Sequence, residues 1–298
     1  RRGGVEEGAD VARTDPGTRR RVRAEVNYVR NPPPDGAAPL IFVTEDERRS
    51  TMQAVPGHDV WIHDVRGVDT SLDREGFVLV DHTSAVPDFD DIEEDPGVDQ
   101  RYMDEMTDLL AAVTGAATVV MLGGGKKRYG ESATDKLSGL KNARPARYPH
   151  ADVTDDSGLD LAVGYARGVA GVDLADVERW ALFNMWRSTT PPPQDHPLAV
   201  CDARTIDRDD GVPVMAVTEI RGGGGELEFA TTGYTHNPGH RWCWFRDMTP
   251  DEVLVFATHD SDPARPHRVA HTAFTDPSCP PGTPTRASVE IRGLARFG

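Results

Sequence analysis

His150 and Asp152 stand two residues apart in Tyr148-Pro149-His150-Ala151-Asp152, and His271 lies far downstream. On an extended strand, residues i and i+2 project to the same side, so His150 and Asp152 can converge on one ion while a second strand supplies His271. Two imidazoles and one carboxylate on one octahedral face form the ligand set of mononuclear non-haem iron(II), with the remaining positions left for a cosubstrate and dioxygen. Alone, a His-x-Asp spacing carries little information in a chain with 10 histidines and 49 acidic residues. Its weight comes from its downstream partners.

After His271 comes a run, Arg286-Ala287-Ser288-Val289-Glu290-Ile291-Arg292, that alternates strictly between polar and apolar residues. On a strand, Arg286, Ser288, Glu290 and Arg292 share one face and Ala287, Val289 and Ile291 the other. 2-Oxoglutarate chelates iron through its keto-acid end, and its far carboxylate needs a buried cation. The fork of an arginine with a neighbouring hydroxyl meets that need. Arg286 with Ser288 fits, and Arg292 on the same face competes for the role. The blander reading is a polar face that meets water.

Other chemistries fare worse. His236, His240, Cys243 and Cys279 could form a zinc site, but no Cys-x-x-Cys supports it, and Asn237-Pro238-Gly239 prevents a regular helix between the histidines. There is no Gly-x-Ser-x-Gly elbow, and Cys201 before Asp202 reads as a buried thiol. Gly123-Gly124-Gly125-Lys126-Lys127 lacks the spacing of a phosphate-binding loop, so it reads as a flexible connection with room for a lid role.

Composition narrows the class further. A chain of 298 residues with 38% hydrophobic and 28% charged residues is expected to form one large domain over residues 21–298 after a mobile tail over residues 1–20. A net charge of -16 opposes binding to nucleic acid and points to a small-molecule substrate. Three irregularly spaced cysteines fit a reducing, cytoplasmic setting. No apolar run is long enough to cross a bilayer. A homodimer is left open.

These residues need elements to position them. Strands are expected near residues 22–29, 60–66, 77–82, 117–122, 181–187, 212–220, 241–245 and 253–258, with Arg286 opening the last. Tyr102, Met103, Met106, Leu109, Leu110 and Val113 have helical spacing, with Asp99 as N-cap and Gly115 as the stop. The acidic stretch 88–99 reads as a solvated loop, the Gly222–Gly225 run as a turn and residues 171–180 as helical. Many short strands and few helices predict a mainly β fold with flanking helices, a barrel or a double-sheet jelly roll.

Taken in order, several segments resemble one family. They include Ile62-His63-Asp64-Val65-Arg66, His150-Ala151-Asp152, Asn184-Met185-Trp186-Arg187, Pro197-Leu198-Ala199-Val200-Cys201-Asp202, His240-Arg241-Trp242, His271-Thr272-Ala273-Phe274 and Arg286 through Arg292. The pattern resembles the hydroxylase/desaturase family that includes the cephamycin methoxylation component CmcJ, a fungal gibberellin desaturase and a fungal meroterpenoid endoperoxidase. It runs from about residue 21 to residue 292. The resemblance implies a cupin-like double-stranded β-helix and iron(II)/2-oxoglutarate-dependent hydroxylation or desaturation of a secondary metabolite, with dioxygen as oxidant. It makes His150, Asp152 and His271 the iron ligands and Arg286, with Ser288 beside it, the best cosubstrate anchor, with Arg292 on the same face competing for that role. Trp186 and Arg187 match a family Trp-Arg segment and are expected to line the substrate site, or else to be a core tryptophan and a structural arginine. Asp155 and Asp156 depart from the family's residues after the aspartate and predict a changed substrate charge preference. Two other readings use the same scaffold: a cupin-like isomerase or hydrolase without 2-oxoglutarate, and a non-catalytic metabolite-binding protein.

Overall fold

A computed structural model of the chain describes residues 21–30, 38–42, 57–86, 88–130, 145–219 and 225–298. The expected tail over residues 1–20 and most of the glycine run, at 222–224, lie outside the described residues.

The described elements are, in chain order, β1 (Arg21–Val26), β2 (Leu40–Phe42), β3 (His58–Asp64), β4 (Phe77–Asp81), α1 (Pro96–Thr114), β5 (Thr118–Met121), β6 (Lys126–Tyr129), β7 (His150–Ala151), α2 (Asp155–Tyr165), β8 (Arg179–Ser188), β9 (Leu198–Cys201), β10 (Gly211–Glu219), β11 (Glu226–Tyr234), β12 (Trp242–Trp244), β13 (Glu252–Asp260), β14 (His271–Ala273) and β15 (Ala287–Phe297). They form two sheets. The larger runs β1-β3-β12-β9-β14-β7-β11-β10-β2, and the smaller runs β4-β13-β8-β15-β5 with β6 also paired to β15. Most pairings are antiparallel, and the result is a double-stranded β-helix, as expected.

The smaller sheet has two faces with different tasks, set by the alternation of side chains along β8 and β15. Their register pairs Ser288 with Ser188, Val289 with Arg187, Glu290 with Trp186 and Arg292 with Asn184. Met185, Val289 and Ile291 therefore turn to one side, where they join Tyr102, Met106 and Leu110 of α1 in one apolar cluster. At Gly293 on that side an added Cβ would fall 2.6 Å from Leu110 Cδ2, so the missing side chain lets α1 press onto β15. Asn184, Trp186, Ser188, Ser288, Glu290 and Arg292 turn the other way, toward the larger sheet.

Several local expectations need correction. The N-cap of α1 is Asp95, whose carboxylate accepts from Gly97 and Val98, with Pro96 in the first turn. Asp99 lies one turn inside and accepts from the Gly125 amide at 2.9 Å. The acidic stretch is only partly solvated, because Ile92 is fully buried and Glu93 accepts from the Lys127 amide at 3.0 Å. The glycine-lysine run is no flexible connection, since it leads straight into β6, where Lys127 is buried and donates to the Asp90 carbonyl at 2.6 Å. The helix expected at 171–180 is not there: that stretch is one 3-10 turn, Leu174–Asp176, leading into β8, and the nearby helix is α2, before it, with Thr154 and Ser157 forming a reciprocal capping box.

Candidate active site

β7 is two residues long, but it is wedged between β11 and β14. Its register sets His150 directly opposite His271, and the two ring centroids lie 4.2 Å apart. Asp152, one residue beyond β7, brings Oδ1 to 3.8 Å from His150 Nε2 and 4.0 Å from His271 Nε2. The sequence-predicted ligand set is thus assembled at one point. Among the described residues, one other group of three ligating side chains converges, Asp155 with His259 and His267.

Backbone carbonyls set the histidine tautomers. His150 Nδ1 lies 3.0 Å from the Tyr148 carbonyl and His271 Nδ1 lies 3.2 Å from that of Val269. A carbonyl only accepts, so each ring carries a proton on Nδ1 and turns Nε2 toward Asp152. Burial, and then the neighbouring His271, push the His150 pKa down to about 3, so His150 is neutral at physiological pH. Metal ligation needs that neutral form.

Asp152 is held from the opposite sheet. Burial works to raise its pKa, but Arg292, the two histidines and Asn184 together outweigh it and keep the carboxylate ionised. Arg292 donates through Nη2 to Oδ1 at 3.0 Å and through Nε to Oδ2 at 3.1 Å. Asn184, fully buried, donates from Nδ2 to Oδ2 at 2.5 Å and accepts from Arg292 Nε on its own Oδ1 at 3.0 Å. The Arg292 Nη2 also donates to Glu290. Sequence reasoning assigns Asn184 no role, although a lone amide in the apolar strand Trp180-Ala181-Leu182-Phe183-Asn184 is a visible signal.

Arg286 stands in contrast. It is 2% exposed, and its Nη1 donates to Ser288 Oγ at 3.1 Å. Among the described residues, its Nε and Nη2 are buried without a partner. Burial drives its pKa down to about 10, still far above neutrality, so it stays cationic. The guanidinium carbon lies 5.4 Å from the Trp186 ring centroid. A buried cation with two idle donors is prepared for an anion. Arg292, by contrast, is engaged with Asp152, Asn184 and Glu290.

Trp186 and Arg187 part company. Trp186 shares the Arg286 face. Arg187 is on the opposite face of β8, where its guanidinium lies near the rings of Phe89 and Tyr102 and donates to the carbonyls of His82 and Pro250. Arg187 therefore does not line the site, which corrects the expectation that it contacts substrate. Successive strand residues cannot face one cavity. Asp155 is also directed away: its carboxylate lies 2.6 Å from His267 Nε2 and 3.4 Å from Arg268 Nη2. In the zinc reading, His240 is bound to Asp210 at 3.0 Å and to the Tyr28 hydroxyl at 3.1 Å, and burial pushes the Cys243 thiol up to about 12. These residues do not converge.

A two-sheet jelly roll with two histidines and an ionised aspartate meeting between its sheets defines the class: a double-stranded β-helix protein with a mononuclear metal-binding site. The chain belongs to the family described as YDMC, oxidoreductase/YMDC permease-like domain, whose model matches residues 26–296. Among the described residues, no helix is long and apolar enough to cross a membrane. The chain is 29% identical to the hydroxylase/desaturase efuI of Hormonema carpetanum, over 92% of this chain and 94% of that protein. It is also 29% identical to the Fe(II)/2-oxoglutarate-dependent dioxygenase nvfI of Aspergillus novofumigatus, over 81% and 84% of the two chains. A solved structure of the iron and alpha-ketoglutarate-dependent endoperoxidase NvfI superposes with a TM-score of 0.80 at 27% identity, covering 95% of this chain and 99% of that one.

Proposed function

We propose that this protein is an iron(II)/2-oxoglutarate-dependent dioxygenase that hydroxylates or desaturates a small-molecule natural-product intermediate. In this reading His150, Asp152 and His271 hold the iron, and Arg286 with Ser288 holds the far carboxylate of 2-oxoglutarate. The same reading takes residues 21–298 as one catalytic domain working in the cytoplasm. The observation that carries it is the buried Arg286 guanidinium, whose unpartnered Nε and Nη2 lie on the strand face that reaches Asp152. An isomerase or hydrolase acting on an uncharged substrate would have no use for such a group.

The donor set fits the metal, because two nitrogen ligands and one carboxylate leave positions open for a bidentate cosubstrate and dioxygen. Bound there, the iron would supply dioxygen activation coupled to decarboxylation of 2-oxoglutarate. The protein's own task is placement. The Tyr148 and Val269 carbonyls fix the imidazoles, and Asn184 and Arg292 fix the carboxylate from the facing sheet. Phe256, with its ring 4.8 Å from that of His271, gives the site an apolar wall. Arg286 would orient the cosubstrate by its remote end, and Trp186 supports the guanidinium. No protein acid or base is required for hydrogen removal from a substrate carbon.

Anaerobic titration with Fe(II) and 2-oxoglutarate tests this. The wild type should develop a visible charge-transfer band that His271→Ala abolishes. Absence of the band in wild type, or its persistence in the variant, would overturn the proposal.

A further inference from the structure

Arg286 is not alone on its face. Arg128 of β6 is directly opposite Ser288 in the register of β6 and β15, so it projects to the same side as Ser288 and Arg286. Diagonal neighbours across such a pair are roughly 7–8 Å apart at Cα, within the reach of two arginine side chains. Arg128 is half-buried, and its guanidinium makes one hydrogen bond among the described residues, from Nη1 to the Lys127 carbonyl at 3.2 Å. No carboxylate of the described residues pairs with it. The charges nearby are otherwise committed. Glu290, on the same face, is bound by Arg292. Asp195 is paired with His196 and accepts from the Arg286 backbone amide at 2.9 Å, leaving the guanidinium untouched. The Arg128 charge adds to burial in pulling the Arg286 pKa down, against an opposing effect from Asp195. Two cations whose charges oppose each other in the free protein thus share the strand face of Ser288, whose hydroxyl accepts from Arg286 Nη1.

We propose that Arg128 is a second binding residue for the cosubstrate's far carboxylate, completing a pocket of two arginines and one serine. This inference rests on the 2-oxoglutarate reading of the site. A carboxylate has about four lone-pair sites, more than one buried arginine and one hydroxyl fill. Arg286 approaches from the residue before β15, Ser288 from β15 itself, and the half-buried Arg128 from the paired strand β6. Binding relieves the repulsion between the guanidiniums, so the pocket favours a keto acid with a terminal carboxylate over one of equal length without it. The pocket selects the cosubstrate by charge as well as by length.

The test is anaerobic titration of the iron-loaded full chain, monitored by the charge-transfer band, with two keto acids: 2-oxoglutarate and 2-oxovalerate, which has the same chain length but no far carboxylate. Arg128→Gln should weaken 2-oxoglutarate by about 10-fold or more, as expected for loss of a charge-assisted hydrogen bond, and leave 2-oxovalerate unchanged. Arg128→Lys should recover part of the affinity. In turnover, Arg128→Gln should raise KM for 2-oxoglutarate with little change in kcat. Equal 2-oxoglutarate affinity in wild type and Arg128→Gln, or parallel weakening of both keto acids, would overturn the assignment while leaving the oxygenase reading intact. No band in wild type with either keto acid would overturn both.

Discussion

Replacing Asn184 tests how the facing sheet holds the metal ligand. In Asn184→Ala two hydrogen bonds disappear, the 2.5 Å donation to Asp152 Oδ2 and the 3.0 Å acceptance from Arg292 Nε. Both involve charged partners, for which each bond is worth about 1.5–3 kcal/mol. The full sum is not lost, because Arg292 Nε still reaches Asp152 Oδ2 at 3.1 Å and neither charge is orphaned. The net cost to folding should therefore be about 2–3 kcal/mol. The cost to metal binding should be larger in kind, since the carboxylate loses the donor that fixes its rotation. Outer-shell changes of this type weaken metal affinity by about 10–100-fold. The assay is anaerobic Fe(II) titration, with circular dichroism as the check on folding. Asn184→Leu refills the volume without either bond and should behave like Asn184→Ala in metal affinity while regaining part of the stability. If a folded Asn184→Ala protein binds Fe(II) as tightly as wild type, the claim that Asn184 positions Asp152 is wrong.

Arg187→Met should lower stability by leaving the carbonyls of His82 and Pro250 without their donor, yet leave 2-oxoglutarate affinity unchanged; a selective loss of cosubstrate binding in a stable variant would return Arg187 to the site. Gly293→Ala should destabilise by about 1–3 kcal/mol through overpacking, because the new Cβ meets Leu110 and Met121 at 2.6 and 2.9 Å, and an unchanged melting temperature would refute that close approach. His259 is buried against Trp180, and burial, with His267 beside it, lowers its pKa from 6.5 to about 4. The unfolded chain then binds a proton that the native one refuses, so stability contributed by the neutral ring is present above 6.5 and declines as pH falls toward about 4. The slope is at most about 1.4 kcal/mol per pH unit. His259→Phe should flatten urea-denaturation stability across that window, and an unaltered slope would rule His259 out as its source.

Strand parity is a local property, and it is legible in the sequence. His150 and Asp152 at i and i+2, and the polar face from Arg286 to Arg292, arise from the two-residue repeat whatever the rest of the chain does. The same rule, applied to Trp186 and Arg187, already forbids both from lining one cavity. The helix stripe of Tyr102, Met106 and Leu110 is equally plain, while its cap is ambiguous because Asp95 and Asp99 are both acceptable N-cap residues and only the backbone turn at Pro96 distinguishes them. Parity cannot separate Arg286 from Arg292, since residues six apart on a strand are equivalent by period. That choice depends on which guanidinium meets Asp152 across the gap between sheets. The pairing of β7 with β14, some 120 residues away in the chain, brings His271 to His150, and the facing register of β8 and β15 brings Asn184 and Arg292 to Asp152. Long-range pairing therefore decides which arginine is engaged and which is left with open donors.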